Sequence, residues 1–374
     1  MNPLSPGPRV LFSNRIWKGR CTSIPLGLLL LVGTTGLAQK SESSDSPLFA
    51  TEEVLELRLS GDIQKLMGDR ADDSEYRPAT ISFQQDGKSH TVPLRARTRG
   101  HFRLSRQNCT YPPLLLNFSK KSELPSPFSG QNKLKLVTPC RNEKHVVQEY
   151  LVYKLYNLIT PKSIKARLTK VVYEDTVKGK TTEPMYGILL EDDDEMASRN
   201  NAVVIEKKGV RAESTERKDF LKMAVFEYLI GNTDWSVQYL QNIKLIARDS
   251  TAKPSTVAYD FDHAGIVRAP YAKPAPELQL ASTQVRRYRG FCLENVSQLN
   301  ETFAIYNQLK EKIYSVYTSC TLIDEKYLKD TLKFLDGFYE TINDPKKAEK
   351  DFLYPCDKSG TGNVVIKGLQ NYYS

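Results

Sequence analysis

The sequence predicts an α+β protein in two parts, a small β-rich part followed by a mostly helical one. Alternating apolar and polar residues, typical of half-buried strands, recur in the first half, as at 54–59. Apolar residues three and four positions apart, typical of amphipathic helices, dominate the second half, as in the helices expected at about 300–317 and 324–343. One helix, at about 143–158, interrupts the strands. We therefore expect a small antiparallel sheet with one helix packed on it over 50–191, and a helical part over 192–374.

The first 38 residues have the pattern of an export signal. Four basic residues and no acidic one accompany an apolar run at 24–32, and small residues follow it up to Ala38. This order predicts a signal peptide over 1–38 and a flexible leader over 39–49. The apolar run is too short to span a bilayer comfortably. We expect a chain exported to the periplasm or secreted, with no stable membrane span after cleavage.

The charge of the chain does not indicate a nucleic-acid partner. The formal net charge is +9, and removal of the four basic residues of the first segment leaves +5 (9 − 4). No basic run with interleaved aromatic residues, of the kind that nucleic-acid-binding proteins carry, is present. We expect no nucleic acid among the partners.

The cysteines predict disulfides rather than a zinc site. The spacings of Cys109, Cys140, Cys292, Cys320 and Cys356 match no zinc-ligand pattern. In an oxidising compartment such cysteines form disulfides. We expect Cys109 to pair with Cys140, because both flank predicted neighbouring strands. The odd count leaves one of the other three free or bonded to another molecule.

Turn and cap signals delimit the elements around the centre of the chain. The sequence Asp86-Gly87 predicts a hairpin turn between strands at 80–85 and 90–97. A strand at 133–137 precedes the helix at 143–158, and a strand at 185–190 follows it. Gly231 is placed to cap a helix over 214–230.

Oxygen-bearing side chains follow that cap at positions where loops and strands meet. Asp234 lies in the loop, Asn242 begins a short apolar strand, and Asp260 and Asp262 end the next one. Phosphoryl transfer needs a group at the acceptor and a clamp for the polyphosphate. Magnesium prefers one or two carboxylates together with phosphates and water. The set therefore predicts a phosphoryl-transfer site.

Three blocks of this region carry a resemblance to a known family. Residues 231–235 (Gly-Asn-Thr-Asp-Trp), 242–245 (Asn-Ile-Lys-Leu) and 259–262 (Tyr-Asp-Phe-Asp) resemble the atypical kinases of the spore-coat CotH and HipA type, within the protein-kinase-like superfamily. The match spans about 95–265. The resemblance implies a two-lobed protein-kinase-like fold, with a nucleotide site between the lobes.

The resemblance also implies a role for each residue of the catalytic part. Asp234 would be the catalytic Asp that faces the acceptor. Asn242 and Asp260 would hold the metal ion, Mg or Mn, and Asp262 is a second candidate for that role.

In the small lobe the resemblance implies the residues that bind ATP. Lys135 would contact the α- and β-phosphates and pair with Glu149. The remaining candidates are the phosphate loop and the hinge beside adenine, which are Arg99, Gly100, Leu190, Glu191 and Asp192.

The sequence also departs from familiar kinases. The spacing from Asp234 to Asn242 is eight residues, whereas familiar kinases use five, and a glycine-rich loop is missing. Plainer readings remain open: Asp234 as a turn residue, or Lys135 as a solvated lysine with Lys133 in its place. The acids at 191–195 are interpreted as a solvated helix start, and His101 and His263 as structural.

The predicted function is ATP- and metal-dependent phosphotransfer to a protein or small-molecule acceptor outside the cytoplasm. Because ATP is scarce there, two alternatives stand beside it. One is a kinase-like binding module without catalysis. The other is an AMP transferase that uses the same site.

Overall fold

The computed structural model describes residues 46–118, 125 and 127–357. The predicted signal peptide and most of the leader lie outside these residues. The end of the leader is folded, since Pro47–Phe49 forms a 3₁₀ turn in which Leu48 is fully buried.

The described residues form eleven strands and eight α-helices. The strands are β1 (Leu55–Gly61), β2 (Arg77–Gln85), β3 (Lys88–Thr98), β4 (Leu114–Phe118), β5 (Lys133–Val137), β6 (Ala166–Asp175), β7 (Lys180–Thr181), β8 (Met185–Leu190), β9 (Val203–Val204), β10 (Ile243–Ala247) and β11 (Ser255–Ala258). The helices are α1 (Ile63–Gly68), α2 (Lys144–Ile159), α3 (Asp193–Arg199), α4 (Arg217–Ile230), α5 (Asn300–Gln308), α6 (Lys310–Thr318), α7 (Glu325–Ile342) and α8 (Pro345–Phe352).

The larger sheet closes into a seven-stranded barrel in the order β1-β2-β3-β4-β5-β8-β6, because β6 also pairs with β1. The short β7 is added to β6. The expectation of a purely antiparallel sheet is therefore wrong at one place, because β1 and β6 pair in parallel from Leu55↔Thr169 to Gly61↔Asp175. Closure removes the unpaired edges that an open sheet would expose. The two strands lie 114 residues apart at Leu55 and Thr169, so no local pattern could reveal their pairing.

Local sequence accounts for the barrel's hairpin and interior. Asp86 and Gly87 both have positive φ, 50° and 73°, as the predicted tight turn requires. Alternate residues of the strands are buried inside the barrel, including Leu57, Leu59 and Ile81. These residues belong to a core that is separate from the core of the helical part.

Helix α2 lies between the barrel and the helical part. Its predicted stripe, Val147, Leu151 and Leu155, is buried in the larger core. Residues on its other sides, such as Tyr150 and Tyr153, are buried as well. A helix that is buried on several sides connects two bodies rather than covering one.

The helical part carries a second sheet, β11-β10-β9. The single helix expected over 300–317 is two helices, α5 and α6, which meet at Leu309. Helix α8 was not predicted; Asp344 caps its start and Pro345 occupies its first turn.

The cysteine pairing is confirmed at Cys109–Cys140. A second disulfide joins Cys292 to Cys356. None of the described cysteines is free, so the expected unpaired cysteine is not found among them. No helix within the described ranges combines the length and apolarity that crossing a bilayer needs.

Candidate functional site

A cleft of about 440 Å³ lies where the barrel meets the helical part. The predicted residues that line it are Arg99, Gly100, Lys135, Leu190, Asp234, Asn242, Asp260 and Asp262. Glu149, Glu191 and Asp192 are not among the lining residues. The cleft therefore gathers both halves of the predicted site, from segments more than 160 residues apart (262 − 99 = 163).

The loop from Asp234 to Asn242 accommodates its three extra residues as a small hairpin. The backbone N–H of Ser236 donates to Gln241 O at 2.9 Å, and the N–H of Gln241 donates back to Ser236 O at 3.0 Å. Residues 237–240 form the turn of this hairpin, with Val237 buried in the core and Leu240 in the cleft lining. Asn242 consequently returns beside Asp234, where its Nδ2 donates to the Asp234 carbonyl at 2.7 Å and to Oδ2 at 3.2 Å.

Several contacts fix the position of Asp234. Its backbone N–H donates to Asn232 Oδ1 at 3.0 Å, and Gln241 Nε2 donates to its Oδ1. Nη1 of Arg289 donates to the carbonyls on either side of it, Thr233 O at 2.6 Å and Trp235 O at 2.8 Å. The carboxylate remains 31% exposed to the cleft. Burial raises the pKa of Asp234 above its ordinary value.

Asp260 and Asp262 add two further carboxylates to the cleft. Asp260 adopts a left-handed conformation, with φ of 63°, and its N–H donates to the Tyr153 hydroxyl at 3.0 Å. The Tyr271 hydroxyl donates to Asp262 Oδ2 at 2.9 Å. Burial and the neighbouring charge of Asp262 raise the pKa of Asp260 to about 6.

These oxygens fit a metal ion that arrives with a phosphate ligand. A divalent cation would offset the cost of burying the Asp260 carboxylate and its repulsion by Asp262, the two effects that raise the pKa of Asp260. Across the described part of the chain, no three His, Cys, Asp or Glu side chains are grouped to hold a metal by themselves. Magnesium commonly takes one or two carboxylates and completes its shell with phosphate and water. Asp260, with the amide oxygen of Asn242, suits that arrangement.

The expected pairing of Lys135 with Glu149 is replaced by another. Lys135 Nζ lies 2.6 Å from Asp193 Oδ1. The register explains the change, because Lys135 stands opposite Leu190 on β8 and Asp193 follows only three residues later. Glu149 is buried instead near Arg103; burial and the charge of Asp262 raise its pKa well above the ordinary value.

Of the three predicted hinge residues, one lines the cleft and two do not. Leu190 lines the cleft. Glu191 is buried and forms an ion pair with Arg199 at 2.7 Å. Asp192 caps α3 by accepting a hydrogen bond from the N–H of Asp194. The side chains of Glu191 and Asp192 are thus engaged in structure.

Four residues that the sequence analysis did not assign belong to the site. Asp193 was included in a solvated helix start, yet it is 18% exposed and contacts two lysines, Lys135 and Lys244. The alternation of the strand was an available signal for Lys244, since Asn242 lies two residues before it. Arg103 is buried in a 3₁₀ turn, Phe102–Leu104, beside the acids.

The fourth residue is His263, which was expected to be structural. Its Nδ1 lies 3.9 Å from Asp234 Oδ2, and its ring packs against Phe102 and Tyr271. Burial lowers the pKa of His263, but the charges of Asp262, Asp234 and Asp260 outweigh it and the net shift is upward. A contact with Phe102 places a barrel loop directly over the carboxylates.

No protein-family model matches the chain, and no curated protein matches its sequence. Among solved structures, the chain is similar to the Helicobacter pylori proinflammatory kinase CtkA, with 10% identity and a TM-score of 0.36. The match covers 64% of this chain and 90% of that one. The similarity is weak and assigns this chain neither to the CotH and HipA type nor to another family.

Proposed function

We propose that this protein is an ATP- and metal-dependent phosphotransferase that acts on a protein or small-molecule acceptor outside the cytoplasm. The observation that carries the proposal is the convergence of Asp234, Asn242 and Asp260 in one cleft with Lys135 and Arg99. Acids that could accept a proton or hold a metal thus share the cleft with cations that suit phosphate. This is the division of roles that phosphoryl transfer requires.

Asp234 is the group we assign to the acceptor. An acceptor hydroxyl would give its proton to Asp234 while the hydroxyl oxygen bonds to the γ-phosphorus of ATP. The bond between the γ-phosphorus and the bridging β,γ-oxygen would break, and ADP would leave. Burial raises the pKa of Asp234, which brings the carboxylate nearer to the range of a useful base. Hydrogen bonds from Gln241 and Asn242 orient it.

Asp260 and Asn242 would hold the metal ion, which when bound neutralises charge on the phosphates. Lys135 would contact the phosphates, and Leu190 would supply an apolar surface for the adenine ring. Action outside the cytoplasm is supported by the amino-terminal segment of the sequence and by the two disulfides, because such bonds persist in oxidising compartments.

The test is nucleotide binding and label transfer by the purified chain from residue 39 onward. We expect magnesium or manganese with ATP to raise the melting temperature of the wild type, because a ligand that binds only the folded state stabilises it. Asp260→Asn should abolish the shift. Asp249→Asn, an exposed acid outside the cleft lining, is the matched control and should keep it.

Radiolabel on the γ-phosphate of ATP should appear on an acceptor or on the protein itself. Transfer of label from the α-phosphate instead would identify AMP transfer and refute the phosphotransferase proposal. Equal melting temperatures with and without nucleotide, in the wild type and in Asp260→Asn, would leave the binding module as the correct reading.

A further inference from the structure

Two lysines from distant parts of the chain share one carboxylate. Lys135 lines the cleft, and Asp193 and Lys244 lie beside it, outside the cleft lining. Lys135 Nζ on β5 lies 2.6 Å from Asp193 Oδ1, and Lys244 Nζ on β10 lies 2.9 Å from Asp193 Oδ2. Both ammonium groups lie 5.4 Å from the centre of the Tyr259 ring. The barrel, α3 and the second sheet therefore each contribute one member to a cluster, Lys135–Asp193–Lys244.

The cluster has more positive than negative charge. Arg99, which lines the same cleft, is close enough to lower the pKa of Lys135 after the larger effect of burial. The two lysines thus occupy both oxygens of Asp193, and Arg99 adds a third positive charge near the lysines. The side chains of Lys135 and Lys244 are only 12% and 25% exposed, so water screens their repulsion incompletely.

A purely structural role explains this arrangement poorly. One lysine would suffice to tie Asp193 to the rest of the fold, and a second cation adds repulsion without adding a new acid. A multiply charged anion in the cleft would relieve the excess. Lysine supplies a compact charge with three donors, which suits phosphate oxygens.

We propose that Lys244 is a second phosphate-binding residue, and that it holds the polyphosphate of the nucleotide together with Lys135 while Asp193 positions both. This inference rests on the proposed function. It assigns to Asp193 the pairing role expected of Glu149, and it places a phosphate contact on the strand that begins beside Asn242.

The experiment compares ATP and adenosine binding to the wild type and to Lys244→Met, by calorimetry with magnesium present. Loss of one charge-assisted contact should weaken ATP binding about ten- to hundredfold. Adenosine binding should not change, because adenosine has no phosphate. Lys133→Met, an exposed lysine of β5 outside the cleft lining, should bind both ligands as the wild type does.

The outcomes separate the two proposals. If the wild type binds ATP and Lys244→Met binds it equally well, the inference is wrong and the proposed function stands. An equal loss for ATP and adenosine would show that Lys244 only shapes the cleft, which also overturns the inference. If the wild type binds no ATP, the proposed function fails and the inference fails with it. Should Lys244→Met not fold, Lys244→Gln provides the same comparison.

Discussion

At the scale of single residues, two polar residues of the cleft have a positive φ, which residues other than glycine usually avoid. Asn242 and Asp260 have φ of 50° and 63°. Asn and Asp tolerate this left-handed region better than other residues, and conformations of this kind concentrate at functional sites. Hydrogen bonds with the Asp234 carbonyl and the Tyr153 hydroxyl hold them there. The strain supports a functional reading of both residues.

Arg289 should act as a positioning residue for Asp234. Its Nη1 donates to the carbonyls on both sides of the acid, and methionine has no donor that could replace it. We expect Arg289→Met to lower the label-transfer rate about tenfold or more, because small displacements of reacting groups are costly. The melting shift with magnesium and ATP should persist, since Arg289 does not line the cleft. A parallel loss of rate and shift would contradict a positioning role.

At the scale of elements, the loop that carries Asp234 depends on the end of α4. Gly231 caps that helix with φ of 68°, as the sequence predicts, and the chain turns there toward Asp234. The N–H of Gly265 donates to Gly231 O at 3.1 Å, which joins the loop to the segment after Asp262. The cap therefore sets the distance between the two acidic segments.

Gly231→Ala should destabilise the protein by about 1–3 kcal/mol, because alanine disfavours positive φ. The added Cβ would also lie 3.0 Å from Phe334 Cζ and Thr283 O. Gly337→Ala in α7 is the matched control: its Cβ would meet only Arg286 Nη1, at 3.5 Å. That change should be neutral or stabilise by about 0.5–1 kcal/mol. Urea unfolding measures both, and equal effects would refute the conformational argument.

At the scale of the whole molecule, Asp219 joins the α2–β6 connection to the helical part through Lys162. Asp219 on α4 pairs with Lys162 at 2.6 Å and with Lys222 at 2.9 Å. It also accepts a hydrogen bond from Ser255 on β11 at 2.8 Å. Burial would raise the pKa of Asp219, but these hydrogen bonds outweigh it and lower the pKa below 3.8.

Asp219→Asn should therefore cost about 1–3 kcal/mol at pH 7, where the carboxylate is charged. A depressed pKa means that the unfolded state takes up the proton first as the pH falls, so the contribution of Asp219 is present above about pH 4. It is lost as the pH falls further, through the folded-state pKa. Unfolding in urea at pH 7, 5 and 3.5 should show a difference between variant and wild type that shrinks only at the lowest pH. A difference that is independent of pH would exclude this linkage.

Much of the local structure could be predicted because short-range rules govern it. Strands β5 and β8 have the predicted bounds, since alternation and flanking turns mark them. The Asp86-Gly87 turn and the Gly231 cap follow from backbone sterics at single positions. The helix expected over 300–317 is divided at Leu309 although its apolar spacing continues, so a periodicity argument could not locate the break.

The sequence by itself determined which acids follow Gly231 and where the strands run, because cap chemistry and periodicity are properties of neighbouring residues. Only the tertiary structure decided that the sheet closes through β1 and β6, and that Lys135 pairs with Asp193 rather than Glu149. Both depend on strand register between segments far apart in the chain. Register is decided by the packing of the whole barrel, so it leaves no mark on either segment alone.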